Sequence, residues 1–304
     1  MSFTAQVREE LAHAPLGETC CRAAETAAIA RLGGALQVSG AGPGWVVDIT
    51  VGAVARRLHS AFVDLYEVRA EIEVHQPTGL QPTRYRLVLA GPSRDVLQRM
   101  GLFDDEGRPA ERPPARLLMT AHDAAAYVRG ALMVAASVSD PRRGAHLEIR
   151  TPSRQSATTV VQLLHRCGAA GARAAQRDDG WRVVVKNGEE IGAVLARTGA
   201  HTSFLHWDAE RLRRELRGEA NRAANADRAN LGRAAGAAAR QVADIEAAVA
   251  RLGWDAFPDD LRETALARLA NPEASLAELA ALHDPPVGKA TVHRRLLRIA
   301  DLDG

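Results

Sequence analysis

Apolar and polar positions repeat one order of elements twice along most of the chain. Alternation of apolar and polar residues predicts strands in segments such as "VVDITV" (46–51), "RYRLVLA" (84–90) and "WRVVVK" (181–186). Apolar spacing of three and four residues predicts the helices between them. Each half is predicted to run helix, two strands, helix, two strands, helix. The predicted elements lie at about 22–36, 37–51, 52–66, 68–90 and 92–100, and again at about 121–135, 137–150, 153–168, 172–187 and 189–198.

The two halves also match in detail, which indicates an internal duplication. "VVDITVGAVARRLHSAF" (46–62) and "HLEIRTPSRQSATTVVQ" (146–162) share an acid followed by Ile, and "YRLVLAGPSRDVLQRMG" (85–101) is similar to "WRVVVKNGEEIGAVLARTG" (181–199). The glycine-rich "GAGPG" (40–44) lacks the Lys-Ser/Thr of a phosphate-binding loop and is predicted to be a hairpin turn. We therefore expect an α+β fold with two similar units, each a small sheet covered by helices on one face.

The leading helices of the two halves carry small residues at their ends. Gly33, Gly34 and Ala35 in the first half match Ala135, Ala136 and Ser137 in the second. Small side chains let two helices approach almost backbone to backbone. An alanine-rich chain shows such runs by chance, but their matched position favours an interface between the halves.

The last part of the chain predicts three short helices. "LRETALARLA" (261–270) has helical apolar spacing, and Ser275 followed by Glu278 is a capping box that starts a second helix at Leu276. That helix stops before Pro285, and Gly288 is a suitable N-cap for a third helix over 289–299. Three helices with a compact turn before the last one are typical of a helix-turn-helix DNA-binding domain.

The third helix has two unlike faces. Val292, Leu296 and Ile299 form an apolar stripe, while the segment 286–300 carries four basic residues and no acid. A solvated basic face is the alternative interpretation, which the capped helix and tight turn before it disfavour. The predicted DNA-contacting residues of this helix are Lys289, Thr291, His293, Arg294, Arg295 and Arg298.

These side chains have different expected roles. Thr291 and Arg294 are predicted to contact base edges, since Arg can donate two hydrogen bonds to guanine. The other basic side chains are predicted to contact phosphate, and for His293 simple exposure is the alternative. Upstream, Arg222 and Arg233 are candidates for further phosphate contacts, with helix capping and an interdomain hinge as the equal alternative.

Composition adds limits on function. The formal net charge of +2 does not indicate nucleic-acid binding, so only the position of basic residues carries weight. Three cysteines without a CxxC spacing give no zinc motif, and we expect no metal and no cofactor. No continuous apolar run reaches about 18 residues, so we expect a cytoplasmic protein, located at the nucleoid, with no membrane segment.

Both leading helices resemble the LAGLIDADG motif of homing endonucleases, in which the last acid of each helix holds a metal ion over DNA. The segments that carry the resemblance are "GALMVAASV" (130–138) and "AIARLGGAL" (28–36), and the metal-acid positions are placed at Ala135 and Gly33. Hydrolysis by bound Mg²⁺ needs anionic oxygen ligands, and neither residue has a side-chain oxygen. We therefore expect no nuclease activity, the alternative being a nuclease that uses acids outside the motif.

The full chain resembles the WhiA family of bacterial sporulation and cell-division regulators. The matching segments are "GALMVAASVSDPRRGAHLEIR" (130–150), "EANRAANADRANLGRAAGAAARQVADI" (219–245) and "LANPEASLAELAALHDPPVGKATVHRRLLRI" (269–299). The resemblance implies a duplicated, degenerate LAGLIDADG homing-endonuclease-like domain followed by an all-α helix-turn-helix domain. It also implies a transcription factor with no enzymatic step, whose partners include a WhiB-like iron–sulfur protein and the RNA polymerase sigma subunit.

These observations predict the domain organisation and a function. The degenerate LAGLIDADG-like domain is placed at 1–205, with halves at about 1–103 and 115–203, the linker at 206–225 and the helix-turn-helix domain at 226–304. The segment 206–253 is helical in composition, with breaks expected near Gly218 and over 221–230. The expected function is sequence-specific binding of promoter DNA as a transcriptional regulator. The alternative is that the N-terminal domain acts purely as a protein-docking module for the transcription machinery.

Overall fold

A computed structural model describes residues 2–39, 42–77, 83–91 and 94–302 of the chain. It divides into two compact units, residues 1–215 and 216–304. Within the described residues, no helix is both long enough and apolar enough to cross a membrane.

The first unit contains the predicted duplication. The first half comprises α1 (Phe3–His13), α2 (Thr19–Gly33), β1 (Gly34–Ser39), β2 (Gly42–Ile49), α3 (Gly52–Tyr66), β3 (Glu71–His75), β4 (Arg84–Ala90) and α4 (Arg94–Arg99). The second half comprises a 3-10 turn (Ala115–Leu117), α5 (Ala121–Val134), β5 (Ala136–Val138), β6 (Leu147–Thr151), α6 (Arg154–Arg166), β7 (Arg173–Arg177), β8 (Gly180–Val185) and α7 (Gly188–Thr198). The long helix α8 (His201–Leu252) follows.

The two sheets have the same antiparallel strand order, β1-β2-β4-β3 and β5-β6-β8-β7, which confirms the duplicated α+β fold. Alternation sends one side of each strand to the core: Leu87 and Leu89 of β4 are buried, as are Val183 and Val185 of β8. The hairpin predicted at 40–44 joins β1 to β2, although residues 40 and 41 lie outside the described part of the chain.

Helix α1 was not predicted. Ser2 caps it by accepting a hydrogen bond from the Ala5 amide, and Phe3, Val7 and Leu11 are buried along one side. A spacing of four places these three side chains on one helical face, so the apolar pattern was present in the sequence. The charged residues between these apolar positions made the pattern hard to recognise.

The breaks predicted near Gly218 and over 221–230 are wrong, because α8 continues without interruption through both. One glycine costs a helix about 1 kcal/mol, and each asparagine costs less than that. The many alanines and arginines around them are strong helix formers and offset this cost. The helix also continues through the segment 206–225, where the linker was expected, and the boundary between the two units falls within it.

The second unit contains the C-terminal part of α8, a 3-10 turn (Trp254–Ala256), α9 (Asp259–Ala270), α10 (Leu276–Ala281) and α11 (Lys289–Ala300). The predicted apolar stripe of the last helix, Val292, Leu296 and Ile299, is buried. It packs in a core that also contains Ile245, Phe257, Leu261, Ala265 and Leu279. Helices α9, α10 and α11 thus form the predicted three-helix unit.

Candidate nucleic-acid interface

The start of α10 and the turn between α10 and α11 are built as the sequence predicts. The Ser275 hydroxyl accepts from the Glu278 amide at 3.2 Å, and the Glu278 carboxylate accepts from the Ser275 amide at 2.7 Å. Helix α10 starts at Leu276, and α11 starts directly after its N-cap Gly288. The Val287 amide donates to the Ala280 carbonyl at 3.1 Å, which closes the turn that sets the direction of α11.

A buried histidine connects this turn to α9. His283 is only 3% exposed, and its Nδ1 donates to the Leu279 carbonyl at 2.8 Å. Its Nε2 lies 2.9 Å from the Thr264 hydroxyl of α9. A buried polar group without partners is costly, so these contacts favour one packing of α10 on α9. Sequence analysis missed both residues because isolated polar side chains in an apolar helix have no periodic signal.

Arg295 is held against α9. Its Nε lies 3.4 Å from Asp260 Oδ2, its Nη1 lies 3.8 Å from Glu263 Oε2, and the same Nη1 donates to Thr264 Oγ1 at 3.3 Å. Only 17% of the side chain is exposed. Arg298 also approaches Asp260, at 3.7 Å, but its side chain is 63% exposed. Arg295 and Arg298, both predicted to contact phosphate, therefore differ in availability: the guanidinium of Arg295 already binds α9, whereas that of Arg298 is largely exposed.

The opposite side of α11 is open and positively charged. Lys289, His293 and Arg294 are exposed, and Thr291 is half-buried. Among the described residues, no ion pair or hydrogen bond neutralises Lys289 or Arg294. The N-cap Gly288 offers no side-chain acceptor, so the first amides of α11 add partial positive charge at the same end. This face has the charge to attract an anionic ligand.

Arg222 and Arg233 lie on the exposed part of α8 that belongs to the second unit. Arg233 donates to the Asn230 side chain at 2.5 Å and to the Ala229 carbonyl at 3.4 Å. In the part of the chain that the structure describes, neither arginine forms an ion pair or a hydrogen bond with α11. The structure thus leaves both of them exposed without joining them to α11.

In the first unit, α2 and α5 pack at very short range, which confirms the predicted interface at Gly33. The predicted small residues Gly34, Ala35, Ala136 and Ser137 lie instead in strands β1 and β5. A Cβ on Gly33 would lie 3.0 Å from the Cβ of Val134, and one on Gly130 would lie 2.6 Å from the Glu25 carbonyl oxygen and 2.8 Å from the Ala28 Cβ. The sequence-predicted metal-acid position Gly33 is therefore filled by the side chain of the facing helix. Gly130, in the middle of α5, makes a closer approach to α2 than Gly33 makes to α5, and sequence analysis did not single it out.

The second metal-acid position borders a groove lined with basic residues. Ala135 lies there together with Arg8, Glu148 and Arg150. Arg8 donates to the Ala136 carbonyl at 2.7 Å, and burial, followed by the charge of Arg150, lowers the pKa of its guanidinium. The single acid, Glu148, is paired with the Arg182 Nε at 3.2 Å. A groove of this charge is unsuited to Mg²⁺, which binds through carboxylates.

A buried ionic triad also crosses the helix pair. Glu25 of α2 accepts from the Nε of Arg57 on α3 and from the Nε of Arg129 on α5, both at 2.5 Å. The Glu25 and Arg57 side chains are 5% and 6% exposed. Removal of the acid would leave two cations without an anion inside the core. The triad therefore links the two halves of the first unit.

The open faces of the two sheets differ in charge. Strand register places Asp48, Glu71, Glu73, Arg84 and Arg86 on the open face of the first sheet. It places Glu148, Arg150, Arg173, Arg177 and Arg182 on the open face of the second. The first group has three acids for two arginines, whereas the second has four arginines for one acid. Despite the duplication, the described residues favour a polyanion only at the second sheet.

Comparison with known proteins agrees with this architecture. Three family models match: the WhiA N-terminal LAGLIDADG-like domain over 19–103, the WhiA LAGLIDADG-like domain over 124–217 and the WhiA C-terminal HTH domain over 220–303. A probable cell division protein WhiA from Acidothermus cellulolyticus is 39% identical over 306 residues, which cover 99% of this chain and 94% of that protein. Its counterpart from Mycolicibacterium gilvum is 38% identical over 307 residues, covering 99% and 93%.

Solved structures show the same fold. The crystal structure of full-length WhiA from Thermatoga maritima has a TM-score of 0.57 at 23% identity and covers 99% of this chain and 97% of its own. The N-terminal LAGLIDADG domain of a WhiA protein has a TM-score of 0.51 at 18% identity, over 65% of this chain and 90% of its own. Together with the full-length relatives, these matches confirm the resemblance predicted from the sequence: the chain belongs to the WhiA family.

Proposed function

We propose that this protein is a sequence-specific, DNA-binding transcriptional regulator of sporulation or cell-division genes, acting at the nucleoid. The observation that carries the proposal is the open face of α11, where Lys289 and Arg294 are exposed and no acid among the described residues neutralises them. The buried side of the same helix is held rigidly by its apolar stripe and by Arg295. A rigid helix with a free cationic face is suited to the major groove. The cell-division naming of the relatives agrees with this role.

Each residue of the interface has a proposed role. Arg294 and Thr291 contact bases, with Arg294 donating to guanine, and Lys289 and Arg298 contact phosphates. His293 is exposed between them and contacts either group. Arg295, in contrast, is proposed to position α11, because its guanidinium already binds α9. Arg222 and Arg233 are proposed as additional phosphate contacts on α8.

The test is a binding assay with the full-length protein. Genome-wide binding sites of the wild-type protein supply the promoter sequences, and footprints on one such promoter then compare variants. Arg294→Ala is expected to reduce the preference for the promoter over unrelated DNA by about 10- to 100-fold, the equivalent of 1–3 kcal/mol per base-contacting arginine. Arg262→Ala, which removes an exposed arginine of α9, is the matched control and should leave the preference unchanged. An unchanged preference in Arg294→Ala would contradict the assignment.

We also propose that the first unit has no nuclease activity. Support comes from Gly33, which is covered by Val134, and from the basic groove beside Ala135. Incubation of supercoiled plasmid with equimolar protein and Mg²⁺ or Mn²⁺ should leave the plasmid intact. Nicking that stays proportional to the amount of this protein through further purification steps would refute this statement.

A second candidate role for the first unit is protein docking. The excess of acids on the open face of its first sheet favours it, because that face would repel DNA. The partners proposed are a WhiB-like iron–sulfur protein and the RNA polymerase sigma subunit, with the iron held by the partner. Pull-down with Glu71→Lys/Glu73→Lys should lose the partner while promoter binding is unchanged; a retained partner together with tighter promoter binding would instead place DNA beside this face.

A further inference from the structure

Four side chains of the kinds that bind metals converge at the N-terminal ends of α2 and α5. Cys20 and Cys21 are the second and third residues of α2, and His122 and Asp123 are the second and third residues of α5. Each pair thus occupies the same place in its half of the duplication, 102 residues apart. The convergence lies at the opposite end of the helix pair from the degenerate motif.

The spacing of these atoms matches a tetrahedral ion. His122 Nδ1 lies 3.1 Å from Cys21 Sγ, 3.8 Å from Cys20 Sγ and 3.4 Å from Asp123 Oδ1. One ligand atom from each of the four residues lies within 4.8 Å of all the others. With metal–sulfur and metal–nitrogen bonds of about 2.3 and 2.1 Å, a tetrahedral zinc ion separates its ligands by about 3.3 to 3.8 Å. The four atoms need little movement to enclose one ion.

A buried oxygen points to the same conclusion. The Asp123 side chain is only 2% exposed, and its Oδ2 accepts from the Thr120 amide at 3.0 Å in the capping box of α5. Its Oδ1 is buried without a hydrogen-bond partner among the described residues. An unsatisfied buried carboxylate oxygen is costly, and a cation in the cluster would satisfy it. The bond to Thr120 orients the carboxylate, as outer contacts do for metal ligands.

The charge and chemistry of the ligands decide which ion fits the cluster. The positive N-terminal ends of two helices meet here and favour anionic ligands. Two thiolates select a soft or borderline ion over Mg²⁺ or Mn²⁺, which prefer oxygen.

We propose that Cys20, Cys21, His122 and Asp123 bind one structural Zn²⁺ ion that joins the two halves of the first unit. Four protein ligands fill the coordination sphere, which is typical of structural rather than catalytic zinc. Sequence analysis found no zinc motif because it searched for CxxC spacing, whereas the duplicated fold brings two adjacent pairs together. The four ligands belong to the first unit, whereas α11 belongs to the second.

The test is the metal content of full-length protein purified under reducing conditions and then dialysed without chelator. We expect about one zinc per chain, and Co²⁺ in its place should give the visible bands of tetrahedral cobalt and a near-ultraviolet thiolate-to-cobalt transition. His122→Ala should weaken zinc binding by at least about tenfold. This side chain is 49% exposed, so its removal leaves the core packing intact.

Cys167→Ala is the matched control, because Cys167 is the one cysteine outside the cluster. It should keep both the zinc and the cobalt spectrum. Chelation should lower the unfolding temperature of the wild-type protein and of Cys167→Ala by the same amount, and that of His122→Ala by less. Wild-type protein that binds no stoichiometric zinc after Zn²⁺ addition under reducing conditions would overturn the proposal, as would a cobalt spectrum without thiolate character.

Discussion

The close packing of α2 on α5 is tested by a single methyl group. In Gly130→Ala the new Cβ would lie 2.6 Å from the Glu25 carbonyl oxygen and 2.8 Å from the Ala28 Cβ. Both neighbours are rigid, so the helices would have to separate by about 0.8 Å to reach the 3.4 Å of ordinary contact. Overpacking of this kind costs about 1–3 kcal/mol, which exceeds the gain of about 1 kcal/mol in helix propensity.

The measurement is thermal unfolding of the full-length protein by calorimetry. Gly192→Ala is the matched control, because Gly192 is also a buried helical glycine of the first unit, but its added Cβ would meet Phe204 and Trp207 at 3.4–3.6 Å, an ordinary contact. We expect Gly130→Ala to lower the unfolding temperature of the first unit and Gly192→Ala to hold or raise it. If Gly130→Ala stabilises as much as Gly192→Ala, the helices are not in the close contact described.

Three further changes test other parts of the structure. Glu25→Gln leaves two buried arginines without their anion and should lower the free energy of unfolding, measured in denaturant titrations, by about 3–5 kcal/mol. Asp64→Asn is the control, because Asp64 is half-exposed in an ion pair between α2 and α3, and it should cost less than about 1 kcal/mol. Lys289→Ala should reduce the slope of log K against log salt by about 0.9 while promoter preference is kept; an unchanged slope would argue against a phosphate contact. Arg295→Ala should lower the stability of the second unit by about 1–3 kcal/mol, and full stability with a smaller salt slope would instead support the phosphate contact first predicted for it.

Most of the fold is predictable because alternation and turn chemistry are local. The segment "RYRLVLA" is strand β4 at its predicted residues, and the Ser275–Glu278 box starts α10 where the sequence places it. The failures have physical causes. Glycine and asparagine weaken a helix only slightly, so they do not break α8.

The roles of the two central arginines of α11 show the limit of a helical-wheel argument. Arg295 is three residues after Val292 and four before Ile299, so it borders the buried stripe. Whether such a residue contacts solvent or the neighbouring helix depends on what that helix offers. Here α9 carries Asp260 and Glu263, which bind Arg295. Arg294 precedes Arg295 by one residue, points to another side of the helix and is exposed. Only the tertiary structure shows which of the two arginines contacts α9 and which contacts solvent.

The degenerate motif also explains why the helix pair persists without acids. At Gly33 the facing Val134 already fills the space where a carboxylate would begin, and beside Ala135 the nearest charged side chains are mostly arginines. Two acids introduced at these positions would clash with Val134 on one side and pair with Arg8 on the other, before any metal bound. This end of the pair thus offers close packing and arginines where a metal site would need carboxylates. The thiols, imidazole and carboxylate of the proposed zinc site lie at the other end of the pair. An ion bound there would join the two halves and would have no part in DNA hydrolysis.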